Sequence, residues 1–395
     1  MMFGVNAVVG AVQQVIGFIV RVIQMALFFI SLFLGAVWYL QESILFHPEL
    51  PKGMKTPSMN PPGYRRPDEA ADLGPPIANM PYDDVYTRTS DGVRINMWLI
   101  RQRYGDWKTR PTIIFFQGNA GNMGLRMPNF WRMYDYLRCN LLTLSYRGYG
   151  HSEGHPTEVG VYRDGEAALQ WLLDASDVDK TKIFLFGRSL GGAIALDLAM
   201  KYPQHVRGVV VENTFTSLSD MVEVLFPFLL PLKWLVTKLQ RLHMDTIHRV
   251  PHVVAPTLFI AGQADMLVPP AHMERLYAAS GSRHKKICRI ANGTHNETWT
   301  DPHEYFQAFR AFIHEAEAIP LPEAPPPKAP ATPLNGGKGD DRAATDVSTS
   351  ASSRCTAADD SNHNNSHMNM PMHSGGAVVV GEMNGPTGHD KNKVV

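Results

Sequence analysis

Short runs of apolar residues alternate along the middle of the chain with stretches of helical spacing. Residues 112–116 and 183–186 are unbroken runs of β-branched, aromatic and leucine residues, which is typical of strands buried on both faces. Residues 159–173 carry apolar positions at helical spacing. Further strands are predicted at 82–88, 93–100, 141–145, 206–211, 257–260 and 286–290. Strands that alternate with helices predict a mostly parallel sheet covered by helices on both faces.

The longest apolar stretch, residues 22–40, contains no charged residue and ends in Trp38 and Tyr39. Its length is about that needed to cross the hydrocarbon core of a bilayer, with aromatic residues at one interface. We therefore predict a single-pass membrane protein with its transmembrane anchor at 22–41 and the lipid bilayer as a partner. A cleaved signal peptide and a buried core helix are the alternatives. Residues 1–21 are predicted to lie in the interface or to extend the anchor.

Composition divides the remainder into one large domain and its appendages. Residues 42–80 are rich in proline and lack periodicity, which predicts a spacer that lifts the following domain, 81–318, from the bilayer. Residues 214–250 interrupt the alternation of strands and helices with an apolar, proline-broken segment. This insertion is predicted to form a small cap over the site or a lipid-touching surface, with an ordinary pair of core helices as the alternative. Residues 319–395 lack aromatic residues and are predicted to be a disordered, low-complexity tail.

Composition and charge exclude several classes of function. The 395 residues carry a formal net charge of zero, which gives no electrostatic basis for binding nucleic acid. The three cysteines, Cys139, Cys288 and Cys355, are scattered and form neither a disulfide framework nor a zinc-binding spacing. The chain also lacks a P-loop and a dinucleotide-binding fingerprint. No cofactor and no metal site are therefore predicted.

The motif with the clearest chemical meaning lies at residues 182–195, which read K-I-F-L-F-G-R-S-L-G-G-A-I-A. Gly187, Ser189 and Gly191 fall in the G-x-S-x-G spacing between a predicted strand and a predicted helix, which is the context of a nucleophile elbow. The turn is so tight that a side chain at either flanking glycine would clash. Ser189 is therefore the candidate nucleophile, exposed over the sheet at a helix N-terminus.

A serine nucleophile needs a base held by an acid, and in elbow-type hydrolases these follow in the order Ser, Asp or Glu, His. Asp265 follows the predicted strand 257–260, and His295 follows the predicted strand 286–290. Both therefore fall at the same edge of the sheet as Ser189. Asp265 is the candidate acid and His295 the candidate base, with Glu212 as an alternative acid.

The oxyanion formed during acyl transfer needs two backbone N–H donors. One is expected from Leu190, directly after the nucleophile. The other is expected from Asn119 in the glycine-rich loop Q-G-N-A-G-N, residues 117–122, which follows the strand 112–116. Glycine in this loop allows the backbone to approach the substrate closely.

Five segments of the chain together resemble the Bem-type membrane-anchored α/β-hydrolases. They are F-Q-G-N-A-G-N, L-S-Y-R-G-Y-G-H-S-E-G, F-G-R-S-L-G-G-A, V-V-E-N-T-F and G-T-H-N-E-T-W. The resemblance implies an α/β-hydrolase fold, with Ser189 as nucleophile, Asp265 as acid and His295 as base. Gln117 stands where the family usually has histidine, which is expected to alter loop packing or specificity.

The resemblance also implies a serine hydrolase that acts on acyl thioesters or esters. Its substrate would be an acylated protein or a lipid, as for palmitoyl-protein thioesterases and lipid esterases. A non-catalytic membrane scaffold and a serine peptidase of the same fold are the alternatives.

Charged residues leave the orientation of the catalytic domain open, because Arg21 and the basic residues after the anchor favour opposite topologies. Asn292 and Asn296 are glycosylation acceptors that bracket His295. A glycan at either position would crowd the site, which favours a cytoplasmic domain or unused acceptors.

Overall fold

The computed structural model describes residues 2–69, 80–175, 177–300 and 302–322. The strands within these residues are β1 (Tyr82–Arg88), β2 (Arg94–Ile100), β3 (Thr112–Phe116), β4 (Asn140–Leu144), β5 (Ile183–Arg188), β6 (Gly208–Glu212), β7 (Thr257–Gly262) and β8 (Lys285–Ile290). The helices are α1 (Met2–Leu45), α2 (Met127–Leu137), α3 (Glu158–Asp174), α4 (Leu190–Lys201), α5 (Leu218–Leu225), α6 (Lys233–Leu239), α7 (Thr246–Arg249), α8 (Ala271–Ala279) and α9 (Pro302–Glu317).

The strands form one eight-stranded sheet in the order β1-β2-β4-β3-β5-β6-β7-β8. β1 and β2 form an antiparallel hairpin, and β2 also pairs antiparallel with β4. The pairings among β3 to β8 are all parallel. The predicted, mostly parallel sheet is therefore confirmed. The loops that follow β3, β5, β6, β7 and β8 leave from one side of the sheet, which we call the carboxyl edge.

Two cores cover the two faces of the sheet, and β3 shows how the sequence produces them. Ile114 and Phe116 lie in one core, which includes residues of α3, α4 and α8. Ile113 and Phe115 lie in the other, which includes residues of α2 and α9. Because side chains alternate between the faces of a strand, burial on both faces requires the unbroken apolar run seen in the sequence.

The N-terminal segment is one continuous helix of 44 residues, α1, and is therefore longer than the predicted anchor. At 1.5 Å per residue it extends for roughly 66 Å, about twice the thickness of a hydrocarbon core. Within the described residues, Gly10–Leu45 is the one helix whose length and composition would allow it to cross a membrane, and its apolar window is not buried in the protein.

The predicted spacer, 42–80, differs from expectation where the structure describes it. Residues 42–45 are the last turn of α1, and the chain that follows packs on the domain. Phe46 is buried in the core, and the Asn60 and Asn122 side-chain amides exchange hydrogen bonds of 2.8 and 2.9 Å. Buried apolar and amide side chains hold this segment against the domain, although its sequence has no regular periodicity. Residues 70–79, and the predicted tail from 323 onward, lie outside the described residues.

The insertion 214–250 leaves the carboxyl edge after β6. It contains α5, a 3₁₀ segment at Pro227–Leu232, α6 and α7. Phe228 and Trp234 are 74% and 63% exposed, and most of the large apolar side chains between α5 and α6 are also exposed. An ordinary pair of core helices, one of the alternatives, does not fit this exposure.

Candidate active site

Ser189 occupies a strained turn between β5 and α4. Its φ and ψ are 53° and −120°, a region that residues with side chains seldom adopt and that costs roughly 1–3 kcal/mol. Two hydrogen bonds hold the turn. The Ser189 N–H donates to the Glu212 carbonyl over 2.9 Å, and the Thr214 hydroxyl donates to the Ser189 carbonyl over 2.7 Å. Ser189 is 8% exposed, so its surroundings are largely shielded from water.

The two glycines that flank the turn are required by its geometry. A Cβ on Gly187 would lie 2.2 Å from the Gly191 carbonyl oxygen. A Cβ on Gly191 would lie 2.1 Å from the carbonyl oxygen of Phe116, at the end of β3. Since both obstructing atoms belong to the backbone, neither position has room for a side chain.

Asp265 and His295 come together from two different loops at the carboxyl edge. Asp265 Oδ2 lies 2.7 Å from His295 Nδ1. The other oxygen, Oδ1, accepts hydrogen bonds of 2.8 Å from the backbone N–H groups of Leu267 and Val268. The Asp265 side chain is fully buried, and that of His295 is 13% exposed. An ionised carboxylate accepts hydrogen bonds only, so this contact places the imidazole proton on Nδ1 and leaves Nε2 as an acceptor.

Asn213 ties these two loops together, and sequence reasoning missed it. Its Nδ2 donates to the carbonyls of Thr294 and His295 over 3.0 and 3.2 Å, and its Oδ1 accepts from the Gly262 N–H over 2.8 Å. The residue is buried with φ at 47°. An asparagine directly after a buried strand at the carboxyl edge is the signal that could have found it.

Glu212, the alternative acid, is committed to other partners. Its carboxylate accepts from Arg188 Nε and Nη2 over 2.9 and 3.1 Å. The Tyr305 hydroxyl donates to it over 2.8 Å, and the Thr298 hydroxyl also donates to it. Glu212 is fully buried in this network. Its contacts are those of a structural ion pair, and the acid next to His295 is Asp265.

The glycine-rich loop 117–122, which we call the oxyanion loop, lies over the nucleophile turn. A Cβ on Gly118 would be 3.8 Å from the Cβ of Ser189. Asn119 follows directly in this loop, and Leu190 is the first residue of α4. Gln117 closes the loop by donating from Nε2 to the Gly121 carbonyl over 3.2 Å. Its backbone carbonyl accepts from the buried Tyr146 hydroxyl over 2.8 Å.

The chain just after α1 braces the oxyanion loop, which the sequence did not predict. His47 N–H donates to the Asn119 carbonyl over 2.9 Å, and Gly121 N–H donates to the His47 carbonyl over 3.0 Å. Asn119 Nδ2 also donates to the Leu45 carbonyl over 3.0 Å. The Tyr149 hydroxyl donates to the Asn119 carbonyl over 2.6 Å and accepts from the His47 N–H over 3.1 Å. The end of α1 is thus attached directly to the site.

Comparison with known proteins agrees with this fold. A sequence profile of the α/β hydrolase fold matches residues 111–233. The α/β hydrolase domain-containing protein WAV2 of Arabidopsis thaliana is 39% identical, over 59% of this chain and 79% of its own length. The Bem46 protein of Schizosaccharomyces pombe is 33% identical, over 71% of this chain and 88% of its own. A protein of Saccharomyces cerevisiae described as an uncharacterized membrane protein is 32% identical, over 61% of this chain and 82% of its own.

A solved structure provides the same fold at lower identity. The esterase Pf2001 of Pyrococcus furiosus superposes with a TM-score of 0.51 and 20% identity, over 60% of this chain and 91% of that one. The plant and fission yeast relatives are 39% and 33% identical to this chain and are covered over 79% and 88% of their own lengths. The chain belongs to the Bem46-like α/β-hydrolase family.

Proposed function

We propose that this chain is a membrane-anchored serine hydrolase that cleaves acyl esters or thioesters through an acyl-enzyme. Ser189 is the nucleophile, His295 the general base and acid, and Asp265 the residue that orients His295. The observation that carries the proposal is the 2.7 Å contact between Asp265 and His295 at the edge of the sheet where Ser189 occupies its strained turn. The hydrolase fold of the family supports it.

The first half-reaction forms the acyl-enzyme. His295 Nε2 takes the hydroxyl proton as Ser189 Oγ attacks the acyl carbonyl carbon, and Asp265 stabilises the imidazolium that results. The negative charge that develops on the carbonyl oxygen is stabilised by the N–H groups of Asn119 and Leu190. The bond to the leaving alcohol or thiol then breaks, and His295 returns the proton to the leaving group.

The second half-reaction releases the acid. Water attacks the acyl carbonyl carbon while His295 Nε2 takes its proton, and the same two N–H groups stabilise the second oxyanion. The bond between the acyl carbon and Ser189 Oγ breaks, His295 returns the proton to Oγ, and the carboxylic acid leaves. No group beyond the chain, the substrate and water is needed.

The apolar α1 supports membrane anchoring, as does the Saccharomyces cerevisiae relative, which is described as a membrane protein. We place the catalytic domain in the cytoplasm, because Asn292 and Asn296 are both exposed beside His295 and glycans there would crowd the site. A mass shift on glycosidase treatment of the membrane-bound chain would contradict this placement.

The decisive experiment is labelling with a fluorophosphonate, which reacts with an activated serine. We expect the full chain in detergent to be labelled and Ser189→Ala to remain unlabelled. Ser145→Ala is the matched control, because Ser145 is also buried where a strand ends, next to β4, and its loss should leave labelling unchanged. A folded chain without labelling would favour the non-catalytic scaffold.

Substrate class is tested next with esters and thioesters of matched acyl length, presented in micelles. We expect turnover of long-chain acyl substrates by the wild type and none by Ser189→Ala. Turnover confined to peptides or to short soluble esters would refute the assignment to long-chain acyl substrates.

A further inference from the structure

The middle of the insertion presents apolar side chains to solvent on a scale unusual for a water-soluble domain. Phe228 is 74% exposed and Trp234 63% exposed. Pro227 and Pro231 interrupt the segment, so it forms a 3₁₀ segment between two short helices. We call the exposed apolar side chains of this segment the insertion face: Val224, Leu225, Phe226, Phe228, Leu230, Leu232 and Trp234. Contiguous apolar surface of this kind marks a contact with a partner or a membrane.

The chain just after the insertion face, at the end of α6, is hydrogen-bonded to the end of α1. Gln41 Nε2 donates to the Leu239 carbonyl over 2.7 Å, and Gln41 Oε1 accepts from the Arg241 N–H over 2.8 Å. The Arg241 guanidinium reaches Glu42 over 3.3 Å and lies 4.5 Å from the ring centre of Trp38. The helix that would cross the bilayer is therefore hydrogen-bonded to the insertion.

Two lysine side chains lie within or beside the insertion face. They are Lys233 and Lys238, and the Lys238 ammonium is 6.0 Å from the ring centre of Trp234. Lys233 pairs with Glu223 over 2.5 Å. Apolar and tryptophan side chains bordered by lysine and arginine are the composition of segments that lie at the interface of a membrane.

Other exposed apolar side chains occur at the same carboxyl edge. Met266, which follows Asp265, is 91% exposed, and Leu267 is 46% exposed. Leu50 is 53% exposed and lies beside the oxyanion loop, since its carbonyl oxygen would be only 2.8 Å from a Cβ added to Gly121. The rim of the candidate active site therefore shares the apolar character of the insertion face.

We propose that the insertion face lies in the headgroup–acyl boundary of the bilayer that α1 crosses, as a second contact of the domain with the same membrane. This inference rests on the proposed membrane anchoring. The carboxyl edge then faces the lipid, and acyl chains reach Ser189 from within the leaflet. A lipid surface fits better than a protein partner, because hydrogen bonds tie the chain just after the face to the end of α1 and because lysine and arginine side chains lie beside the face.

Lipid-dependent quenching tests the location without requiring activity. The full chain carries Cys288→Ser and Cys355→Ser so that these thiols do not react with the dye, and an environment-sensitive dye is attached at position 228 through Phe228→Cys. The labelled chain is reconstituted into vesicles of phosphatidylcholine and phosphatidylserine. Spin-labelled acyl chains are then added to the bilayer. Tyr104→Cys is the matched control, because Tyr104 is also exposed but lies in the loop before β3, at the opposite edge of the sheet. We expect strong quenching at 228 and almost none at 104.

The outcomes separate this inference from the anchoring on which it rests. Chain that floats with the vesicles but shows equally weak quenching at both positions would overturn the insertion-face proposal and leave the anchoring intact. Chain that fails to float would overturn both. Shielding of the dye at 228 that depends on protein concentration and not on the quencher would show that a second copy covers the face, and would likewise overturn the proposal.

A pair of charge substitutions links the location to catalysis. We expect Phe228→Glu with Leu232→Glu to lower turnover of a vesicle-embedded long-chain ester by about tenfold, since carboxylates would replace two apolar side chains that bind at the acyl boundary. Hydrolysis of a short soluble ester should not change, because both side chains are exposed and lie outside the catalytic contacts. Equal loss on both substrates, or on neither, would contradict the proposal. Absence of turnover on either substrate by the wild type would instead refute the proposed hydrolase function.

Discussion

Replacing Asp265 with asparagine tests how His295 is held, because the surroundings of Asp265 dictate how the new amide must lie. Oδ1 accepts from the backbone N–H groups of Leu267 and Val268 at 2.8 Å. Only the oxygen of an asparagine amide can accept these bonds, so the amide nitrogen must face His295 Nδ1. Nδ1 must then become an acceptor, and the imidazole proton moves to Nε2. In that tautomer Nε2 cannot take the proton of Ser189.

The expected effect is large on rate and small on stability. Loss of the correct tautomer in a Ser-His-Asp site lowers kcat by about 10⁴-fold, which corresponds to about 5 kcal/mol of transition-state stabilisation. Asp265→Asn retains the size of the side chain, the hydrogen bond to His295 in reversed direction, and both bonds from the loop. We therefore expect a folded protein that has lost catalysis.

The rate of fluorophosphonate labelling measures this effect without knowledge of the natural substrate. Asp245→Asn is the matched control, because Asp245 Oδ2 lies 2.6 Å from His248 Nδ1 in a similar but exposed pair. We expect the control to be labelled at the wild-type rate. A fall of less than about tenfold in folded Asp265→Asn would show that Asp265 does not govern His295, and would refute the proposed role.

Four further variants test the surroundings of the site. Glu212→Ala leaves the buried Arg188 without its partner and should lower the unfolding free energy in urea by about 3–5 kcal/mol; a change below about 1 kcal/mol would contradict the ion pair. Tyr149→Phe removes a hydroxyl that donates to the Asn119 carbonyl and should lower kcat about fivefold to tenfold at constant KM. Tyr162→Phe is the control: it removes a buried hydroxyl bonded to Arg249 and should leave kcat unchanged. Asn213→Asp keeps the acceptor for the Gly262 N–H but turns a carboxylate oxygen toward the Thr294 and His295 carbonyls, so slower labelling and a lower Tm are expected. An unchanged labelling rate in the folded variant would refute the positioning role. Hydrogen bonds from Arg147 lower the pKa of Asp91 in the folded protein, so the ionised carboxylate stabilises the fold above the unfolded pKa of about 4, and this contribution is lost as pH falls. The difference in unfolding free energy between wild type and Asp91→Asn should therefore shrink in acid, and a constant difference would contradict this.

Buried strands and the residues that follow them were the features the sequence could predict well. Strand β3 is an unbroken apolar run because both of its faces are covered, and the edge at which parallel strands end follows from their direction. That reasoning was enough to expect Asp265 and His295 at one edge of the sheet. The clash at Gly191 likewise explains why the G-x-S-x-G spacing carries structural information.

Contacts made by the backbone left no comparable mark in the sequence. Asn213 acts through the carbonyls of Thr294 and His295, which are the same atoms whatever the side chains at those positions. The predicted spacer was misjudged for the same reason. His47 pairs with the oxyanion loop through its own N–H and carbonyl groups, so neither composition nor periodicity indicated that this segment belongs to the site.

The two attachments at the end of α1 relate the direction of the helix to the active site. Gln41 bonds the insertion, and the Leu45 carbonyl accepts from Asn119 in the oxyanion loop. These residues are four apart, so they lie on one face of the helix within about one turn. Rotation of α1 about its axis would break both attachments together. In the proposed anchored state, the path of α1 through the bilayer therefore sets how the carboxyl edge meets the lipid, and the same few hydrogen bonds that orient the domain also shape the loop expected to bind the oxyanion.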